Sequence, residues 1–266
     1  MFTLYNKNGI FWTESSLLPV KHMFTRRLGD VGDFPYSSNK DPEWLRTERQ
    51  EKVRGIWLNL RKTADLPKEG IAFTHQVHGT LVRRVGPTDR LLPPLGETPV
   101  DCDGLITTEK SVPLCVFTAD CVPVLLCDAE AGVICAVHSG WKGTVKDMMR
   151  SAVESMFSLG ASAERIVAAI GPAASQCCFE TGPEVKDAVE DLLKEDAEGI
   201  CLPEQDVPGK YMVDLKETNR RRLMQLGVRY EHIDVSEDCT ICKSDVYWSH
   251  RATHGVRGTQ ASIIML

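Results

Sequence analysis

The apolar positions of this chain gather in short, dense runs. Residues 112–118 (VPLCVFT), 122–127 (VPVLLC) and 132–138 (GVICAVH) are almost free of polar side chains. Runs so short and so continuous predict strands buried on both faces. Residues 166–172 (IVAAIGP) predict another. Helical spacing appears elsewhere. Val53, Ile56, Trp57 and Leu60 fall on one face of a helix predicted over 41–61, with Asp41 as N-cap and Pro42 at its first position. The strongest pattern predicts a single helix over 143–158. Its apolar stripe is Val145, Met148, Met149, Ala152, Val153 and Met156, and Gly160 stops it. Further helices are predicted from Pro183, with Val185, Ala188, Val189 and Leu192 inward, and over 214–226. Residues 71–85 read as strand with a turn at His78-Gly79, 87–100 as a Pro/Gly-broken loop, and 246–252 (VYWSHRA) and 260–266 (QASIIML) as strands. Strands and helices mix without alternating cleanly, and no repeat or low-complexity linker divides the chain. The pattern predicts one α+β domain over 1–266, with a mixed β-sheet core and flanking helices.

Composition narrows the function classes. With 42% hydrophobic and 26% charged residues in a chain of 266, the protein is of ordinary globular type. A formal net charge of −6 argues against non-specific binding to nucleic acid or to a membrane surface. An anionic substrate would need a local cationic pocket. No apolar run approaches the roughly 18 residues of a membrane span. The opening Met1-Phe2-Thr3-Leu4-Tyr5 lacks the features of a secretory signal. Of the ten cysteines, Cys115, Cys127 and Cys135 fall inside predicted strands. They are expected to be buried and reduced, as in a cytoplasmic protein.

The common catalytic signatures are missing: G-x-G-x-x-G, the P-loop, G-x-S-x-G, H-E-x-x-H and the zinc deaminase pair. One C-x-x-C occurs, Cys239 to Cys242, without a second such pair. It is expected to be two structural thiols at a strand end. What remains are three strand ends carrying reactive side chains: 74–79 (THQVHG), 118–123 (TADCVP) and 136–143 (AVHSGWKG). Imidazole and thiolate are donors that zinc prefers, and three protein ligands leave a fourth position open for chemistry.

The strings QVHG, TADCVPVLL, AVHSGWKGT, IGPAASQCCFETG and CTICKSDVYWSHRATHGVRGTQASII, with HMFTRR before them, resemble the signature blocks of the YfiH-type laccase-domain family. The resemblance runs from about residue 20 to the C-terminus. It departs from the family pattern at Met23, where glycine is usual, at 27–30 (RLGD), and at Ala173, where cysteine is usual. The resemblance implies a fold like the catalytic domain of cytotoxic necrotizing factor toxins. It also implies one zinc held by His78, Cys121 and His138.

The family carries several functional names. The first is a purine nucleoside enzyme, which implies phosphorolysis of adenosine, inosine, guanosine or methylthioadenosine together with adenosine deamination. Purine nucleoside and phosphate are then the partners. For these reactions Asp120 is expected as general acid, His75 as base or ligand-orienting group, and Arg26 and Lys142 as phosphate ligands. Asn39, Gln176 and His22 are expected substrate contacts. The second name is copper polyphenol oxidase. A multicopper centre needs many histidines in H-x-H pairs, and this chain has seven histidines and no such pair. One His₂Cys site holds at most a single copper, which would bind it in vitro. Two further alternatives remain. Either Cys121 and His138 form a metal-free hydrolase pair, for a cell-wall precursor as the name peptidoglycan editing factor implies, or the chain is a non-catalytic binding domain.

Overall fold

The structure is a computed structural model that describes residues 1–27, 43–91 and 100–266. Along the chain run β1 (Phe2–Lys7), β2 (Ile10–Ser15), β3 (Lys21–Thr25), α1 (Glu43–Thr63), β4 (Val82–Arg84), β5 (Gly104–Thr107) and β6 (Leu114–Thr118). Next come β7 (Val122–Asp128), β8 (Val133–Ser139), α2 (Trp141–Val145), α3 (Met148–Phe157), β9 (Val167–Ile170), β10 (Glu180–Thr181) and α4 (Pro183–Leu193). The last elements are β11 (Cys201–Pro203), β12 (Tyr211–Val213), α5 (Leu215–Gln225), β13 (Ile233–Val235) and β14 (Gln260–Met265). The strands form a five-stranded sheet β1-β2-β3-β14-β6, a six-stranded sheet β13-β9-β7-β8-β5-β4 and a small sheet β10-β12-β11. The six-stranded sheet is mixed: β13 runs parallel to β9 and β4 parallel to β5, while the other pairings are antiparallel. The class is α+β, as the pattern predicts.

Side-chain alternation explains why the central runs are apolar throughout. On β8, Ile134 and Ala136 join the cluster between the two large sheets, with Leu114, Val116, Phe24 and Ile264 from the other sheet. Val133, Cys135 and Val137 point the opposite way, onto Met148, Val153, Val189 and Leu223 of α3, α4 and α5. The outer face of the five-stranded sheet (Trp12, Met23, Phe117, Ile263) is covered by Val53, Trp57 and Leu60 of α1. The order of layers is therefore helix, sheet, sheet, helices. A strand in either sheet faces apolar neighbours on both sides, so polar residues are squeezed out of its middle. Cys115, Cys127 and Cys135 are buried and unpaired, and each lies in a different cluster.

Three expectations need correction, and one meander gave no signal. The strand read over 71–85 is regular only at β4, with isolated bridges at Ile71, Ala72 and His75. The helix predicted over 143–158 is two helices. Asp147 breaks it in the left-handed region (φ 70°) and caps α3, where its carboxylate accepts from Arg150 N and from Arg222 Nη2 at 2.6 Å. The apolar stripe survives the break because Met148 to Met156 still share one buried face. Residues 246–252 are turns rather than a strand, with the Ser249 hydroxyl accepting from Ala252 N. The antiparallel β1-β2-β3 meander had no clear signal, because β1 is mostly exposed. The predicted start of the first helix, at Asp41 and Pro42, lies outside the described residues.

Gly171, just past β9, shows how closely the two sheets approach. A methyl group there would collide with the buried Phe24 ring and lie 3.0 Å from Pro123 Cγ. Gly171→Ala is expected to destabilise the fold by about 1–3 kcal/mol through overpacking. Urea unfolding should show a lower midpoint with an unchanged slope.

Candidate metal centre and its pocket

The site stands at one end of the layer between the sheets. β7 and β8 pair with Pro123 opposite His138 and Val122 opposite Ser139. Cys121, one residue before β7, therefore comes level with Gly140, one residue after β8. His138 shares the parity of Ile134 and Ala136, so its ring points into the inter-sheet layer. His78 arrives from the loop before β4. One donor atom each from His78, Cys121 and His138 lies within 4.8 Å of the others. Cys121 Sγ is 3.9 Å from His78 Nε2, and the two imidazoles cross at 87°. Around a tetrahedral zinc, donors of this kind stand about 3.3–3.8 Å apart. A small contraction closes the set. Gly140 makes the approach possible, since a Cβ there would lie 2.7 Å from His78 Cδ2 and 3.2 Å from Cys121 Sγ. The residues present fit a metal ion.

The second feature is a buried carboxylate that the sequence analysis missed. Asp103, just before β5, is fully buried. Its Oδ1 accepts from His78 N at 2.9 Å and from His138 Nδ1 at 2.8 Å. Its Oδ2 accepts from Gly79 N at 2.7 Å and Val77 N at 3.2 Å. Three successive backbone N–H groups thus wrap one carboxylate, an anion nest. The nest holds His78 in the left-handed region (φ 61°), a conformation strained for a side-chain-bearing residue. The bond to His138 Nδ1 fixes the tautomer that turns Nε2 toward Cys121. Gln76 pins the same loop from the other side. Its amide donates to Phe117 O and accepts from Phe117 N, both at 2.7 Å.

Electrostatics follow from this packing. Burial alone would raise the Cys121 thiol, but His138 and His78 beside it pull it down to about 6. Burial alone would lower His138, but the Cys121 charge and the Asp103 carboxylate raise it to about 9. Burial also opposes the charge on Asp103, yet the His138 ring and the backbone N–H groups of Gly79 and His78 hold its carboxyl below the usual range. Near neutral pH the metal-free site is a thiolate–imidazolium pair anchored on a carboxylate.

The three donors open into a pocket also lined by Thr74, His75, Gln76, Thr118, Arg257 and Thr259. Nδ1 of His75 lies 2.6 Å from Asp101 Oδ1. The hydroxyls of Thr74, Thr118 and Thr259 are buried without a hydrogen-bond partner. Arg257 and the three threonines were not singled out from the sequence. Arg257 shares the last signature block with Arg251, and spacing does not choose between them.

Other expected site residues lie elsewhere. The Asp120 carboxylate accepts from Thr240 Oγ1 (2.7 Å), Ser249 Oγ (3.0 Å) and Arg251 N (2.7 Å), so it braces the turn beside Cys121 instead of facing the pocket. Arg26 stands over the Tyr247 ring with Nη2 3.9 Å from Asp238, whose negative charge disfavours a second anion there. Lys142 is exposed beside Trp141 and outside the pocket lining. Gln176 donates to Gly199 O and Ile200 O. His22 uses both ring nitrogens, toward Val20 O and Ser15 N, and lines a different pocket. Asn39 lies outside the described residues.

Two outcomes are expected. Asp103→Asn keeps the shape but removes the charge that orients His138, and should weaken metal binding about 10–100-fold, measured by chelator competition with the fold checked by circular dichroism. Metal uptake should also release protons. Between about pH 6 and 9 the free site holds one proton on His138 while Cys121 is already thiolate. Each ion bound in that window should displace about one proton, and affinity should fall about tenfold per pH unit as pH drops through it. Below about 6 the thiol protonates too, and the fall should steepen. Calorimetry in buffers of different ionisation enthalpy reads the proton count.

A family model described as multi-copper polyphenol oxidoreductase laccase matches residues 21–266. A protein named purine nucleoside phosphorylase from Bacteroides thetaiotaomicron is 31% identical over 261 residues, 95% of this chain and 93% of its own. A protein named adenosine deaminase RL5, from an unknown prokaryotic organism, is 37% identical over 149 residues, 56% of each chain. Among solved structures, the hypothetical protein YfiH from Bacillus licheniformis superposes with a TM-score of 0.86 at 26% identity, over 100% of this chain and 98% of its own. Sequence blocks, a full-length relative and a matching fold agree, and the chain belongs to the YfiH-type laccase-domain family.

Proposed function

We propose that the protein is a zinc-dependent purine nucleoside enzyme. Its principal reaction would be phosphorolysis of adenosine, inosine, guanosine or methylthioadenosine, with adenosine deamination at the same site. The observation that carries this reading is a His78–Cys121–His138 donor set that opens into a pocket holding a cation, Arg257, and three unpartnered hydroxyls. Relatives named for purine nucleoside phosphorolysis and for adenosine deamination support it.

A zinc in this set would supply Lewis acidity and acidified water, the general contributions of an open three-ligand site. The chain's own groups do the rest. Asp103 keeps His138 in one tautomer and holds the His78 loop, so the donors need only a small contraction. In phosphorolysis a phosphate oxygen bonds to ribose C1′ while the bond from C1′ to the purine breaks. Arg257 is the pocket's cation and pairs with the phosphate, a reading favoured by its place in the pocket lining, which includes neither Arg26 nor Lys142. Thr74, Thr118 and Thr259 offer hydroxyls to phosphate or ribose oxygens. His75, held on Asp101, carries the proton to or from the purine. In deamination water adds at purine C6 and ammonia leaves, with no phosphate involved.

The multicopper reading lacks its ligands. The pocket has three histidines, one of them tied to Asp101, and the second donor cluster among the described residues is made of thiols alone.

The reaction is tested by incubating adenosine with and without phosphate. Adenine formed only with phosphate marks phosphorolysis, and inosine marks deamination. His78→Ala and Cys121→Ala should abolish both while the protein stays folded. Unchanged phosphorolysis in a folded, metal-free variant would move the chemistry elsewhere. Arg257→Ala should lower kcat/KM for phosphate about 10- to 150-fold, the worth of one charge-assisted hydrogen bond, and should leave deamination within a few fold. Equal loss of both activities would make Arg257 a nucleoside contact.

A further inference from the structure

Four cysteines meet away from the pocket. Cys177 and Cys178 lie on the loop after β9, and Cys239 and Cys242 on the loop after β13. The two loops run side by side, with a parallel bridge from Ala173 to Cys239 and Thr240 N donating to Ala173 O at 3.1 Å. All four sulfurs lie within 4.8 Å of one another. Cys242 Sγ is 3.2 Å from Cys178 Sγ and 3.5 Å from Cys177 Sγ. Four sulfurs about 2.3 Å from one tetrahedral zinc stand about 3.8 Å apart. The two separations lie about 0.3–0.6 Å below that value and well above the roughly 2.05 Å of a disulfide.

Local backbone geometry fits thiolates. The Cys239 sulfur accepts from Ser175 N at 3.5 Å and from the N–H groups of Ile241 and Cys242. N–H donors turned back onto the first sulfur of a C-x-x-C turn stabilise negative charge there. Lys216 is buried nearby, where it interacts electrostatically with Cys239 and Cys177, and donates to Ser236 O and Asp238 O. A tetrathiolate around a divalent ion is a dianion, and a buried lysine offsets part of that charge. The C-x-x-C, expected to be an isolated structural pair, has its second pair in Cys177-Cys178.

We propose that Cys177, Cys178, Cys239 and Cys242 form a second metal site, a closed tetrathiolate that takes zinc and staples these two loops together. With four protein ligands it has no open position, so its role is structural. The staple bears on the pocket through Asp120. Thr240 Oγ1, between the paired cysteines, donates to Asp120 Oδ1, and Asp120 precedes Cys121. Ala174 N, on the other loop, donates to Asp120 O at 2.9 Å.

The test uses the full chain, purified with a non-thiol reductant, loaded with Zn²⁺ and dialysed. Metal analysis should find two zinc ions per chain, and one in His78→Ala. The exposed Cys177 and Cys242 make a mild pair to change, and C177S/C242S should also hold one. His78→Ala loaded with Co²⁺ should show the intense sulfur-to-cobalt charge-transfer absorption of several thiolates. A second measurement needs no variant. In native zinc-loaded protein, Cys177 and Cys242 should resist iodoacetamide and become labelled once a chelator is added, read by peptide mass spectrometry. Equal labelling with and without chelator would overturn the site. So would a zinc-free His78→Ala, or a Cys178–Cys242 disulfide recovered from the reduced, zinc-loaded chain. Failure here leaves the His78–Cys121–His138 reading intact, because that ion is counted separately in C177S/C242S.

Discussion

One buried carboxylate organises the active end of this protein. Asp103 receives N–H groups from Val77, His78 and Gly79 and the Nδ1–H of His138. Two metal donors from separate parts of the chain are thereby referred to one point. The dependence is mutual. A fully buried carboxylate without such donors would cost on the order of 3–5 kcal/mol, and the strained His78 backbone would lose what holds it. Charge alternates along the line from Asp103 through His138 to Cys121, so the thiolate persists in a place where burial alone would protonate it.

The layered core gives this arrangement a rigid frame. Two sheets packed face to face leave an apolar interior, and side chains at the ends of the central strands inherit fixed directions. His138 on β8 and Thr118 on β6 follow the parity of the apolar residues before them. Glycines at close approaches, Gly140 against His78 and Gly171 against Phe24, mark where backbone meets side chain without room for a methyl. Phe117, Thr118 and His138 of the pocket stand on strands, and the loops at the strand ends contribute the rest, His78, Cys121 and Arg257 among them.

The two donor clusters differ in the property that separates chemistry from scaffolding. His78, Cys121 and His138 could hold an ion with one coordination position left facing a polar pocket. Cys177, Cys178, Cys239 and Cys242 would fill all four positions with sulfur. Asp120 lies between them, hydrogen-bonded to the loops of the second cluster and adjacent in sequence to a donor of the first. Its positive φ of 83° is sustained by those contacts, which makes it a positioning residue for the Cys121 turn.

Hydrophobic runs and helical stripes were enough to predict the central strands, α1, α3, α4 and α5, because burial on both faces or on one stripe is written into local residue order. The signature blocks held His78, Cys121 and His138, whose donor atoms the fold brings within 4.8 Å of one another. The sequence could not say which way a turn residue faces. Asp120 and Asp103 are both aspartates beside strands, yet one braces a loop and the other anchors the donors. Nor could it pair Cys177-Cys178 with Cys239-x-x-Cys242, join His78 to an acid 25 residues away, or choose Arg257 over Arg251. Periodicity and hydrophobicity are properties of a short stretch of chain. Those other facts depend on strand register and on the stacking of one layer against another, and only the tertiary structure decides them.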